Sequence, residues 1–264
     1  MRGKKVLFGT NTKMQKTASE SEAHIRRVAE LTSDIRDKIE LFIIPSFTSL
    51  SRAVSAGTEM HVMIGSQNVG WEERGQFTGE ISPLMLREAG VEMIMVGHSE
   101  RRHIFHETDL EEEKRVKCAV EHGFRTLLCV GETAEQKEYG ISAETLRTQI
   151  KVGLHSVSAD QAKEHVWIAY EPVWAIGVNG HPADAGYANE MHGVIRDTLV
   201  GLYGASVGND IPLLYGGSVN LENAPELIVQ PNIDGLFVGR YALDAERFAG
   251  LIHTALDALD KKQG

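Results

Sequence analysis

Three side chains capable of acid–base or electrostatic chemistry stand where apolar runs of this sequence stop: Lys13, His98 and Glu171. Glu171 ends the run Trp167–Tyr170 and precedes Pro172, a neighbour that disfavours the helical region and favours a turn. The next four residues, Val173, Trp174, Ala175 and Ile176, are apolar where loops are usually polar, and Gly177 closes the stretch. A greasy loop beside a carboxylate suits a lid, Pro172 to Ile176, that closes over the charge and excludes water. The plainer reading is a strand, a turn and some core. With a lid, Glu171 reads as a general base and His98 as the electrophile facing it, a pairing suited to proton abstraction beside a carbonyl. Closure would also protect an enediolate from losing a phosphate.

Such groups need a scaffold that brings distant stretches together. Eight short apolar runs recur: 6–9, 41–44, 62–65, 93–96, 127–130, 167–170, 213–215 and 236–239. Helix-forming stretches lie between them, for example 19–38, 107–122, 183–203 and 243–259. Apolar strands alternating with helices read as βαβ units around a parallel sheet. Eight units in 264 residues match a closed (β/α)8 barrel, expected as a single domain over 1–264. An open doubly wound sheet is the fallback, but no GxGxxG fingerprint supports it.

In a barrel, function gathers at the C-terminal ends of the strands. There lie Asn11 and Lys13 after run 1, Gln67 and Asn68 after run 3, and His98 to Arg102 after run 4. Gly131–Thr133 follow run 5, Glu171 run 6, Gly216–Ser218 run 7, and Gly239–Arg240 end run 8. Alone, Lys13 is a solvated lysine, His98 a satisfied histidine, Gly216–Gly217 a turn and Arg240 a surface arginine. Their clustering at one barrel end argues for a site. The glycine-bearing ends of runs 7 and 8 suit phosphate, because glycine lets backbone N–H groups approach an anion. The substrate class is therefore a small phosphorylated molecule.

The formal net charge of −10 argues against nucleic acid and requires the site to supply its own positive potential. No segment is long and apolar enough to span a bilayer, and the N-terminus lacks a signal-peptide pattern. Two cysteines, Cys118 and Cys129, give no disulfide framework and fit a cytoplasmic location. Proton transfer needs no cofactor. A metal is the weaker alternative: His98, His103, His106 and Glu107 are bunched, and His103 and His106 could share a helix face. No cysteine or aspartate joins them at a standard spacing. A non-catalytic phosphosugar-binding barrel is a further alternative, against which the retained Glu171, His98 and Lys13 argue.

Nearly end to end, the sequence resembles the triosephosphate isomerase family. The motifs are QNV (67–69), GQFTGEISPLML (75–86), VGHSERR (96–102), CVGET (129–133), YEPVWAIG (170–177), YGGSVN (215–220) and DGLFVG (234–239). The resemblance implies Glu171 as base, His98 as neutral electrophile, Lys13 as stabiliser of the enediolate with Asn11 beside it, and Glu100 near that lysine. It implies backbone phosphate contacts at Gly177, Ser218 and Gly239, with Arg240 added here, and no metal. It also implies a homodimer built through the loop Gln76–Phe77–Thr78–Gly79, a structural Cys129, and a role in glycolysis and gluconeogenesis.

Four stretches depart from the family pattern. Thr12 replaces a tryptophan, Gln15 an asparagine and Arg240 a second glycine, and the lid leaves through Val178–Pro182 instead of a Thr-Gly-Lys type segment. The last two resemble a branch of the family that interconverts L-erythrulose 1-phosphate and D-erythrulose 4-phosphate in erythritol catabolism. The triose phosphate is placed first, because its catalytic set is complete, and the tetrulose phosphate second.

Overall fold

The structure, a computed structural model, describes residues 5–176 and 182–263. Eight parallel strands close into a barrel in chain order: β1 (Val6–Asn11), β2 (Ile39–Ile44), β3 (Met63–Ser66), β4 (Met93–Val96), β5 (Arg125–Val130), β6 (Val166–Tyr170), β7 (Leu213–Tyr215) and β8 (Gly235–Val238). Each of the eight apolar runs falls on one of these strands, except that Val62 and Gly239 lie one residue outside β3 and β8. Closure is made by β8 against β1, with Phe8 opposite Leu236.

The helices are α1 (Ala18–Leu31), α2 (Leu50–Met60), α3 (Pro83–Glu88), α4 (Ser99–His103), α5 (Asp109–Glu121), α6 (Ala134–Glu138), α7 (Ser142–Gly153), α8 (Ala159–His165), α9 (Ala185–Tyr203), α10 (Ala205–Gly208), α11 (Ala224–Ile228) and α12 (Ala245–Gln263). Four begin with reciprocal capping boxes, Thr17 with Glu20, Thr108 with Glu111, Thr133 with Gln136 and Ser158 with Gln161. The helical stretch expected to reach residue 38 stops at Leu31. Thr32 turns its hydroxyl back to the Val28 carbonyl at 2.9 Å, and a short 3-10 turn follows at Ser33–Ile35.

Strand alternation sorts the side chains into two layers. Leu41 and Ile43 of β2 face the helices, while Phe42 and Ile44 face the barrel interior with Met93, Leu127, Trp167 and Phe237. Phe42 stacks on Phe237 with ring centres 5.8 Å apart and meets Trp167 edge-on at 5.7 Å. Gly9 makes room for it: a Cβ there would lie 2.0 Å from the Phe42 ring. The barrel interior is thus filled, and any cavity must form above it, at the strand ends. Among the described residues no helix is long and apolar enough to cross a membrane.

Candidate active site

The end of β1 sets the first corner. Lys13 has φ of 53°, a left-handed conformation that costs a non-glycine residue roughly 1–3 kcal/mol and persists only when its surroundings hold it. Asn11 Oδ1 accepts the Lys13 backbone N–H at 2.8 Å. Gln67, from the end of β3, donates its Nε2 to Asn11 Oδ1 at 3.0 Å and to the Lys13 carbonyl at 2.9 Å. So aimed, the Lys13 ammonium reaches Glu100 Oε1 at 2.7 Å. This pair is partly exposed, so its contribution to stability is small. Its effect is to fix the ammonium at the cavity wall.

The second corner is the end of β4. His98 is 3% exposed and caps α4: its Nδ1 accepts the Glu100 backbone N–H at 3.1 Å. A nitrogen that accepts carries no proton, so in this hydrogen-bonding state the ring is uncharged and its proton sits on Nε2. That Nε2 lies 3.4 Å from Glu171 Oε1.

Glu171 forms the third corner, also 3% exposed. Its backbone N–H bonds the Val130 carbonyl at 2.7 Å, prolonging the β5–β6 ladder to the carboxylate. Oε2 accepts the Ser99 backbone N–H at 3.1 Å, at the start of α4. The neighbouring Cys129 is fully buried, and desolvation together with the Glu171 carboxylate pushes its thiol well above the ordinary range, which makes it inert.

The fourth corner comes from β7 and β8. Gly216 donates to the Tyr170 carbonyl at 2.7 Å, and Gly217 tolerates no side chain, since a Cβ would meet the Tyr215 hydroxyl at 2.2 Å. Asn223 Nδ2 holds the Ser218 carbonyl at 2.9 Å. At Gly239 a Cβ would meet nothing within 4 Å, and a 3-10 turn, Arg240–Leu243, begins there.

These corners enclose one cavity of about 520 Å³. Asn11, Lys13, His98, Glu100, Glu171, Ile176, Ser218, Gly239 and Arg240 all line it, and so do Thr12 and Gln15. Of the expected lid, Val173–Ala175 form a 3-10 turn and Ile176 borders the cavity. Gly177 and the Val178–His181 part of the lid exit lie outside the described residues.

The loop Gln76–Gly79 is exposed and away from the cavity, with Phe77 packed edge-on to Trp71 at 6.1 Å. The shared helix face imagined for His103 and His106 does not form. His103 ends α4, and His106 follows it in a left-handed conformation with φ of 60°. Among the described residues, no group of three His, Cys, Asp or Glu side chains is placed to hold a metal.

Two residues escaped the sequence reading. Glu132, noted there only as part of a polar strand end, is fully buried outside the cavity. It accepts hydrogen bonds from Tyr170, Tyr187 and Trp174. Arg247 lines the cavity from the first turn of α12. Its signal was its place seven residues after Arg240, where the chain turns into the helix that follows the last strand.

A family model described as triosephosphate isomerase matches residues 6–255. An L-erythrulose-1-phosphate isomerase of Rhizobium etli is 41% identical, the match covering 97% of this chain and 94% of the relative. A triosephosphate isomerase of Acetivibrio thermocellus is 42% identical over 93% of this chain and 96% of its own. One from Thermoanaerobacter pseudethanolicus is 41% identical over 94% and 98%.

Proposed function

The chain belongs to the triosephosphate isomerase family and is a sugar-phosphate isomerase, and from that premise we propose that it acts on a four-carbon ketose phosphate, L-erythrulose 1-phosphate, in preference to a triose phosphate. One observation carries the choice: Thr12, Gln15 and Arg240, three positions that depart from the family pattern, all line the cavity. A changed side chain on the cavity wall alters what the cavity accepts, so departures at these three positions argue for a refitted substrate.

Glu171 removes the proton from the hydroxyl-bearing carbon beside the carbonyl, and His98 Nε2–H donates to the carbonyl oxygen. The electron pair of the broken C–H bond moves into the enediolate, whose charge Lys13 stabilises beside Asn11, with Glu100 holding the ammonium. Glu171 then returns the proton to the former carbonyl carbon, while the proton of the original hydroxyl passes by way of His98 Nε2 to the former carbonyl oxygen, so that the old hydroxyl becomes the new carbonyl. Substrate and product have the same atoms, so no cofactor enters. A glutamate base facing a neutral histidine is the known pairing of triosephosphate isomerase and is not new here. Phosphate is held by the backbone at Ser218 and Gly239, and Pro172–Ile176 close over it.

A triose phosphate is the second reading, favoured by the complete set Lys13, His98 and Glu171 around the cavity. The test is kcat/KM for L-erythrulose 1-phosphate against D-glyceraldehyde 3-phosphate, with the Glu171→Gln variant as blank. A strong preference for the tetrulose supports the proposal, and a high value for the triose alone overturns it.

A homodimer belongs to the same proposal. Met14 is 95% exposed beside the site, and Phe77, Met85, Ile104 and Phe105 are also exposed. Sedimentation of a monomer at micromolar concentration would contradict it. Two buried free thiols, Cys118 and Cys129, support a cytoplasmic location.

A further inference from the structure

The cavity has a charge problem that its catalytic residues cannot solve. Lys13 faces two carboxylates, Glu100 and Glu171, and His98 is uncharged by its hydrogen bonding. Those groups alone leave the cavity one unit negative, in a protein whose net charge is −10. A phosphate dianion would gain no net attraction from these side chains, and the backbone donors would have to hold it alone. Lys13 is moreover already engaged, with Glu100 at 2.7 Å.

Two further side chains reverse the sign. Arg240 and Arg247 both line the cavity and bring its sum to one unit positive. Among the described residues neither guanidinium has an ion-pair partner, and the nearest acids in sequence are occupied. Glu246 pairs with Arg27 at 2.8 Å. Asp244 accepts the Arg247 backbone N–H at 2.9 Å, capping α12. Tyr241, in the turn that Arg240 opens, also lines the cavity and has its ring centre 6.0 Å from the Arg247 guanidinium. A guanidinium is always charged, and its planar fork fits phosphate oxygens two at a time.

We propose that Arg240 and Arg247 form a two-guanidinium clamp for the substrate phosphate, which recruits the anion and supplies side-chain binding beside the backbone donors at Ser218 and Gly239. The clamp rests on the sugar-phosphate reading of the site. It assigns a binding role to Arg247, which stands on a helix outside the strand-end motifs.

The test uses inorganic phosphate as the probe, on the full-length enzyme and its Arg240→Gln, Arg247→Gln and doubly substituted forms. Both positions are exposed, and circular dichroism establishes that each variant is folded. Calorimetric Kd for phosphate should rise about tenfold for each single variant and more for the double, the scale of a lost charge-assisted hydrogen bond. The fall of kcat/KM with rising ionic strength should flatten in the double variant. Lysine at either position should restore part of the affinity, as charge without the fork. A phosphate Kd within twofold of the parent in the folded double variant overturns the clamp. Failure of the function itself reads differently: a parent enzyme that binds phosphate yet carries no solvent deuterium into any phosphosugar keeps the clamp and loses the isomerase reading.

Discussion

The indole N–H of Trp174 donates to Glu132 Oε1 at 2.8 Å. The same buried carboxylate accepts from the hydroxyls of Tyr170 and Tyr187 at 3.0 and 2.9 Å. A residue between Glu171 and the cavity-lining Ile176 is thereby tied to the end of β5. Lys137 sits 3.3 Å over the Trp174 ring. Replacing Trp174 by Phe removes one donor and leaves Glu132 its two tyrosines. Stability should fall by about 1 kcal/mol. If the bond positions the lid in the reactive state, kcat should fall about fivefold. Urea midpoints and steady-state rates measure the two effects, and an unchanged kcat would show that this bond does not govern the lid.

Glu171→Gln keeps the shape of the side chain and removes the base. Turnover should drop by about a thousandfold, within the usual range for a positioned general base. Phosphate contacts are left alone, so inorganic phosphate should inhibit the variant within twofold of the parent, provided residual turnover is followed. Comparable turnover would mean the proton goes elsewhere.

The strands were readable because parallel strands buried on both faces are continuous apolar runs, as in Met93–Val96. The site was readable because its groups sit one or two residues beyond those runs. Glu132 and Arg247 were obscure for opposite reasons. Glu132 looks like another strand-end polar group, and only the packing of Tyr170, Trp174 and Tyr187 shows that it anchors rather than faces the cavity. Arg247 looks like an ordinary surface arginine of an amphipathic helix, and only barrel closure brings the start of α12 to the cavity mouth. The helix expected to reach residue 38 stops at Leu31 for a local reason: Thr32, Ser33 and Asp34 favour caps and turns over helix interiors, and the Thr32 hydroxyl bonds back to the Val28 carbonyl.

Glu112 of α5 is fully buried with both carboxylate oxygens unpartnered, and burial pushes it up to about 7 against the partial relief of Arg102, Arg115 and Arg101. Between its ordinary value of 4.5 and 7 the folded chain binds more protons than the unfolded one, so this group's contribution falls as pH rises and stays low above 7. His24 and His192 act oppositely: burial lowers both to about 4, and their contribution is lost as pH falls from 6.5 towards 4. Glu112→Gln leaves the histidines in place and isolates the carboxyl. Relative to the parent, the variant should gain on the order of 2–3 kcal/mol between pH 4.5 and pH 8. Urea midpoints at the two pH values measure this, and a difference independent of pH would exclude titration of Glu112 in that window.

Gly216 offers the most direct test of how tightly the base is positioned. A Cβ there would lie 3.0 Å from Glu171 Cγ and 3.4 Å from Phe237 Cδ1 and the Tyr170 carbonyl. The methyl fits only if the Glu171 side chain yields by a few tenths of an ångström. Proton transfer is sensitive to such displacements, so Gly216→Ala should lower kcat about tenfold while phosphate inhibition stays within threefold. Gly131→Ala is the contrast, because its Cβ would fall 1.9 Å from the Glu171 backbone carbonyl, which cannot swing aside. That variant should lose stability rather than catalytic precision, seen as a lower melting temperature with weak expression. Should Gly216→Ala retain full kcat, the carboxylate has freedom that its hydrogen bond to Ser99 does not suggest, and the positioning argument for Glu171 fails.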